Sequence, residues 1–129
     1  MWRHGPGATN GFVTWKPASF DEFWPYYVSQ HLDPVNRALH FAGTTAAMAC
    51  VAASPLFPAL LAAAPVAGYG LAWIGHFVIE KNRPATFGNP IWSLRGDFKM
   101  WSLMLRRKMA AEVESYRQYT PMEAPAEAA

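Results

Sequence analysis

The chain has 129 residues, about one domain's worth, with 52% apolar residues and a formal net charge of +2. So small a charge gives no electrostatic footprint for nucleic acid, and the lone Cys50 excludes an internal disulfide. All 20 Asp, Glu, Lys and Arg residues lie before Ala38 or after Ile79, which leaves 42 consecutive residues without a charge. A helix on a soluble protein shows one polar face to water. The block therefore points to an all-α membrane protein, a helical hairpin with flanking interfacial amphipathic helices. A soluble hairpin buried in an oligomer is the alternative.

Residues 1–17 hold Gly5, Pro6, Gly7, Asn10, Gly11 and Pro17 and read as a flexible arm with no leader-like apolar run. Residues 18–119 form one helical domain. Ser19 and Glu22 make a capping box for a helix that ends near His31. Its rings, Phe20, Phe23, Trp24, Tyr26 and Tyr27, suit a helix at headgroup level. Pro25 is a candidate kink. Asp33-Pro34 is a cap followed by a first-turn proline.

A first span is expected at 38–53 and a second at 59–79, with the turn at Ser54, Pro55 and Pro58. The first is short and Ala-rich. Gly68, Gly70, Ala72 and Gly75 permit close helix approach, within the hairpin or in a homodimer. The loop 83–90 leads to Asn89-Pro90, a second cap-then-proline start. Residues 91–119 alternate Trp92, Leu94, Phe98, Trp101 and Leu105 with basic residues, as in a helix lying on a membrane. The tail 120–129, rich in Pro, Ala and Glu, reads as disordered. Cations flank the block and avoid the turn, so both termini are expected in the cytoplasm, at the inner membrane in a bacterial cell.

Histidine carries the chemistry. His40 opens the first span and His76 closes the second, so an antiparallel hairpin puts both at one membrane face, which His31 approaches from the same side. His4 lies in the arm. Asn36 and His40 share a helix face, as do His76 and Glu80, and the stripe runs on through Trp73 and Tyr69. Ionisable residues at the edge of a span usually face an interior site. Three imidazoles with a carboxylate suit iron, zinc, copper or nickel. Isolated histidines at helix ends are also ordinary interfacial residues. Lys81 and Arg83 suit a substrate carboxylate, or equally lipid phosphates.

The run Phe20-Asp21-Glu22-Phe23-Trp24-Pro25-Tyr26-Tyr27, with His31, Asn36-Arg37, His40 and Gly43, resembles the first half of a known family. Residues 70–84, GLAWIGHFVIEKNRP, with Ala85-Thr86-Phe87, resemble the second half more closely. The family is that of the membrane 2-hydroxy fatty acid dioxygenases, which act in the breakdown of phytosphingosine to odd-numbered fatty acids. The resemblance covers about 18–110. It implies Fe(2+)-dependent alpha-oxidation, in which a 2-hydroxy fatty acid and dioxygen give carbon dioxide and a fatty acid one carbon shorter. The family's essential histidines carry over onto His31, His40 and His76. A fourth histidine of some members has no matched position, which leaves Glu80 as the candidate fourth ligand or as a partner orienting a histidine. On this reading the catalytic and metal residues are His31, His40, His76 and Glu80. The substrate contacts are Asn36, Lys81, Asn82, Arg83, Tyr69 and Trp73, and membrane lipid surrounds the hairpin. The competing readings are a non-enzymatic membrane scaffold with incidental histidines and a haem protein with His40 and His76 as axial ligands.

Overall fold

A computed structural model describes residues 16–119 and the backbone of two short strands, β1 (Ala8–Thr9) and β2 (Phe12–Val13). The strands pair antiparallel, Ala8 with Val13 and Thr9 with Phe12. His4, most of the expected arm and the tail 120–129 lie outside the described residues.

α1 (Phe20–Ser29) begins where expected. Ser19 Oγ accepts from Glu22 N at 3.2 Å, and Glu22 Oε2 accepts from Ala18 N at 3.3 Å. Its aromatic density calls for a correction. Phe20, Phe23, Trp24, Tyr26 and Tyr27 are buried under α4 (Pro90–Leu105) and α5 (Met109–Tyr116), against Met100, Leu103, Met109 and Val113. Those rings form the core of the protein and are not free to lie among headgroups. Arg95 over Phe20 and Lys99 over Trp24, each 4.2 Å from the ring centroid, close the outer side.

α2 (Pro34–Ala53) is capped by Asp33, whose Oδ1 accepts from Val35 N at 2.8 Å. α3 (Leu60–Ile74) runs straight into a π-helical turn, Gly75–Glu80. α2 and α3 pack as an antiparallel pair, with Gly43 beside Gly68 and Asn36 beside Gly75. Among the described residues one helix, Leu60–Glu80, is long and apolar enough to cross a membrane, and little of it is buried inside the protein. α2, expected to span from 38 to 53, does not qualify. Its first turns carry Asn36, Arg37 and His40, and much of the remainder is alanine.

The single helix expected over 91–119 is two. Lys108 N reaches Leu103 O at 2.7 Å, Arg107 N reaches Met104 O at 3.0 Å, and Arg107 has φ 58°. This is a Schellman stop with arginine where glycine is usual. It turns α5 back onto α1, where Trp24 Nε1 donates to Glu112 Oε1 at 3.0 Å.

Candidate metal centre

The site forms where α1 ends, α2 begins and α3 widens into its π turn. His31 follows α1 on a short connection held by Arg37, whose Nη1 donates to the carbonyls of His31 (2.9 Å) and Leu32 (2.7 Å). His40 sits two turns into α2, and His76 lies inside the π turn. All three are buried, with 1%, 4% and 2% of their surface exposed. Their rings stand nearly perpendicular in each pair, with centroids 4.5 to 4.8 Å apart.

Each ring has one nitrogen occupied. His31 Nδ1 lies 2.6 Å from Tyr27 O, and His40 Nδ1 lies 2.9 Å from Asn36 O. His76 Nδ1 lies 2.6 Å from Asn82 Oδ1. A carbonyl oxygen only accepts, so the first two nitrogens carry their protons. The third is fixed the same way, because Asn82 Nδ2 donates to Gln30 O at 3.0 Å and leaves Oδ1 to face the imidazole. In these neutral tautomers every Nε2 presents a lone pair. His31 Nε2 and His40 Nε2 are 3.3 Å apart with no proton between them, and the three ligand atoms lie within 4.8 Å of one another. Lone pairs facing one another in a buried pocket repel unless a cation takes them. Burial also holds the His31 imidazole neutral, far below its usual range, with the neighbouring His76 and His40 adding to the effect. The donor set fits a transition metal that prefers imidazole.

The π turn explains the placement of Asn82. His76 O accepts both Lys81 N and Asn82 N, the latter at 3.0 Å, with Lys81 in the left-handed region at φ 56°. The wider turn brings Asn82 back beside the imidazole it holds. Such turns occur often at functional sites. Gly75 leaves room for Asn36, since a Cβ there would overlap Asn36 Oδ1. Asn36 is fully buried, and neither of its amide atoms has a hydrogen-bond partner among the described residues.

Glu80 is buried but lies outside the three-histidine group, and its Oε1 accepts from Asp33 N at the head of α2. The expected stripe of Glu80, His76, Trp73 and Tyr69 divides. His76 and Glu80 face inward, while Tyr69 and Trp73 are each 38% exposed. The inward stripe of α3 runs instead through Ala64, Gly68, Ala72 and His76, and Trp73 packs edge-on to Phe77 and tilted against Phe87. Lys81 is exposed, and the Arg83 guanidinium lies 5.2 Å from the Phe87 ring centroid.

From His40 an apolar groove of about 240 Å³ follows the hairpin. Thr44, Ala47, Gly68 and Tyr69 form its floor, and Leu94, Asp97 and Phe98 of α4 form one wall. Asp97 was not anticipated. Burial pushes its carboxyl up to about 7, against the hydrogen bond from Tyr27 Oη, which favours the ionised form. Tyr27 also stacks on His31 with centroids 4.0 Å apart. The signal was available, because Asp97 is the sole acid within 90–105. Its neighbour Gly96 is where a Cβ would come within 2.8 Å of the Tyr27 ring.

A family model described as 2-hydroxy-palmitic acid dioxygenase Mpo1-like matches residues 17–109. Searches of curated proteins and of solved structures gave no match.

Proposed function

Since the chain belongs to the Mpo1-like family of 2-hydroxy-palmitic acid dioxygenases, we propose that it is a membrane-bound non-haem iron enzyme that shortens 2-hydroxy fatty acids by one carbon. The convergence of three unprotonated Nε2 atoms in one buried pocket carries this reading. The balanced reaction takes one 2-hydroxy acid and one dioxygen to one shorter fatty acid, one carbon dioxide and one water.

His31, His40 and His76 would hold Fe(2+). When bound, iron supplies Lewis acidity toward the substrate's oxygens and a redox centre for dioxygen. The chain's own residues do the rest. Tyr27 O, Asn36 O and Asn82 Oδ1 lock the imidazole tautomers, which is how outer partners orient metal ligands. Glu80 joins the π turn to the start of α2 and so fixes His76 relative to His40. In this role it is a positioning residue rather than a fourth ligand. Of the expected substrate contacts, Tyr69 lines the groove, and the buried Asn36 amide, without a hydrogen-bond partner among the described residues, lies against Gly75 beside His76. Lys81 and Arg83 lie on the loop beyond and would meet anionic lipid or the incoming carboxylate.

The groove suits the acyl chain. His40 to Ala47 is two turns of α2, roughly 10 Å at 1.5 Å per residue. That length takes about half of a palmitoyl chain, and the rest would leave along the exposed face of the hairpin into lipid. That face includes Leu56, Phe57, Leu61, Val66 and Val78, all more than half exposed. Lipid would cover them with both termini on the cytoplasmic side, and α4 would rest its exposed Ile91, Leu94 and Leu105 at the interface.

The test is oxygen uptake by the purified protein in detergent with 2-hydroxypalmitate. It should consume one dioxygen per molecule of pentadecanoate and of carbon dioxide formed. An unaltered rate in His76→Ala would refute the site.

A further inference from the structure

The groove beside the metal centre has one carboxyl group in its lining, that of Asp97, set among mostly apolar neighbours. Its Oδ1 accepts from Tyr27 Oη. That is its one hydrogen bond among the described residues, and no Lys or Arg there pairs with it, because Arg95 and Lys99 lie over the rings of Phe20 and Trp24. A carboxylate accepts at both oxygens, and a half-buried acid left without partners is costly. An unsubstituted acyl chain in the groove would bury Oδ2 against methylenes. The groove therefore calls for a ligand with a hydrogen-bond donor close to the histidines. Asp97 is not part of the histidine ligand group, so it is placed to meet the substrate rather than the metal.

Resting on the dioxygenase reading for the identity of the ligand, we infer that Asp97 selects hydroxylated acids, its Oδ2 accepting the hydrogen bond of the substrate's 2-hydroxyl. The substrate's carboxylate, repelled by Asp97 in its ionised form, is directed to the histidine side, and the alkyl chain runs down the groove past Phe98. The backing is built for this. Gly96 lets α4 close on the Tyr27 ring, and Tyr27 links the two halves of the site, holding Asp97 with its hydroxyl and His31 with its carbonyl and ring face. Fatty acids lacking the hydroxyl leave Oδ2 unpaired, and a site built around a hydrogen bond rejects a ligand without it far more strongly than an apolar pocket rejects one with an extra group.

The experiment measures anaerobic binding of 2-hydroxypalmitate and of palmitate to the metal-loaded wild type, Asp97→Leu and Asp97→Asn, together with oxygen uptake. The wild type should prefer the hydroxy acid. In Asp97→Leu that preference should fall about tenfold or more, through weaker binding of the hydroxy acid and tighter binding of palmitate, whose chain no longer buries an unpaired oxygen. Asp97→Asn keeps the shape and an acceptor for Tyr27, and should lose about threefold, a readout that stands if the leucine variant does not fold. A preference within about twofold of wild type in both variants overturns the assignment, as does a wild type without preference. Lost preference alongside a wild type that takes up no oxygen supports Asp97 and refutes the dioxygenase reading. Oxygen uptake with undiminished preference does the reverse.

Discussion

At the residue scale the site is defined by protons. Three histidines near one another are unremarkable until each Nδ1 is seen to donate to a fixed oxygen, which turns three lone pairs inward. The histidines were legible in the sequence from their places at the two ends of the charge-free block. Their acceptors were not. Two are backbone carbonyls, which no residue type announces. The third, Asn82, stood in a basic loop that suggested substrate binding. Replacing Asn82 with Leu leaves His76 free to change tautomer and rotate. It should weaken metal binding about 10- to 100-fold, the usual effect of losing a partner behind a ligand. Competition with a chelator of known affinity measures this, and affinity equal to wild type would show that Asn82 does not set the His76 tautomer.

At the element scale, starts were legible and some stops were not. Ser19 and Asp33 mark helix starts by cap chemistry and Pro90 by its fixed φ, and all three starts stand as read, although Asn89 makes no side-chain cap bond. The reversal after α4 was missed because the left-handed position is filled by Arg107, with no glycine or proline nearby to signal it. The π turn was missed for a related reason, since Lys81 takes the left-handed position there. The consequence reached the site. A regular α-helix would keep Tyr69, Trp73, His76 and Glu80 in one stripe, whereas the inward face follows the small residues of α3. An L-residue at Arg107 pays for its backbone conformation, on the order of 1 kcal/mol. Arg107→Gly should therefore stabilise the protein by about that amount, seen as a melting temperature higher by several degrees. An unchanged or lower value would mean that the arginine side chain offsets its own strain.

At the scale of the whole molecule, two differently packed parts meet at the three-histidine site. One is a core of aromatic residues from α1 closed by α4 and α5, and the other is a helical pair that leaves its apolar side chains outside. The charge-free block made the pair legible, but composition could not say that the rings of α1 pack inside the protein, because aromatic density reads alike for a core and for a membrane surface. Val66, 72% exposed at the middle of α3, separates lipid from water. If lipid covers it, Val66→Asp costs about 3 kcal/mol and should shift the protein out of the carbonate-resistant membrane fraction. If water covers it, the change is nearly neutral and fractionation stays the same. The central claim, that three chain segments are folded together to hold one metal, has a more direct test. The metal content of anaerobically purified wild type and His76→Ala should be about one iron per chain in the first and close to none in the second, with helical circular dichroism retained. Equal metal in both proteins, or none in a wild type supplied with iron, would contradict it.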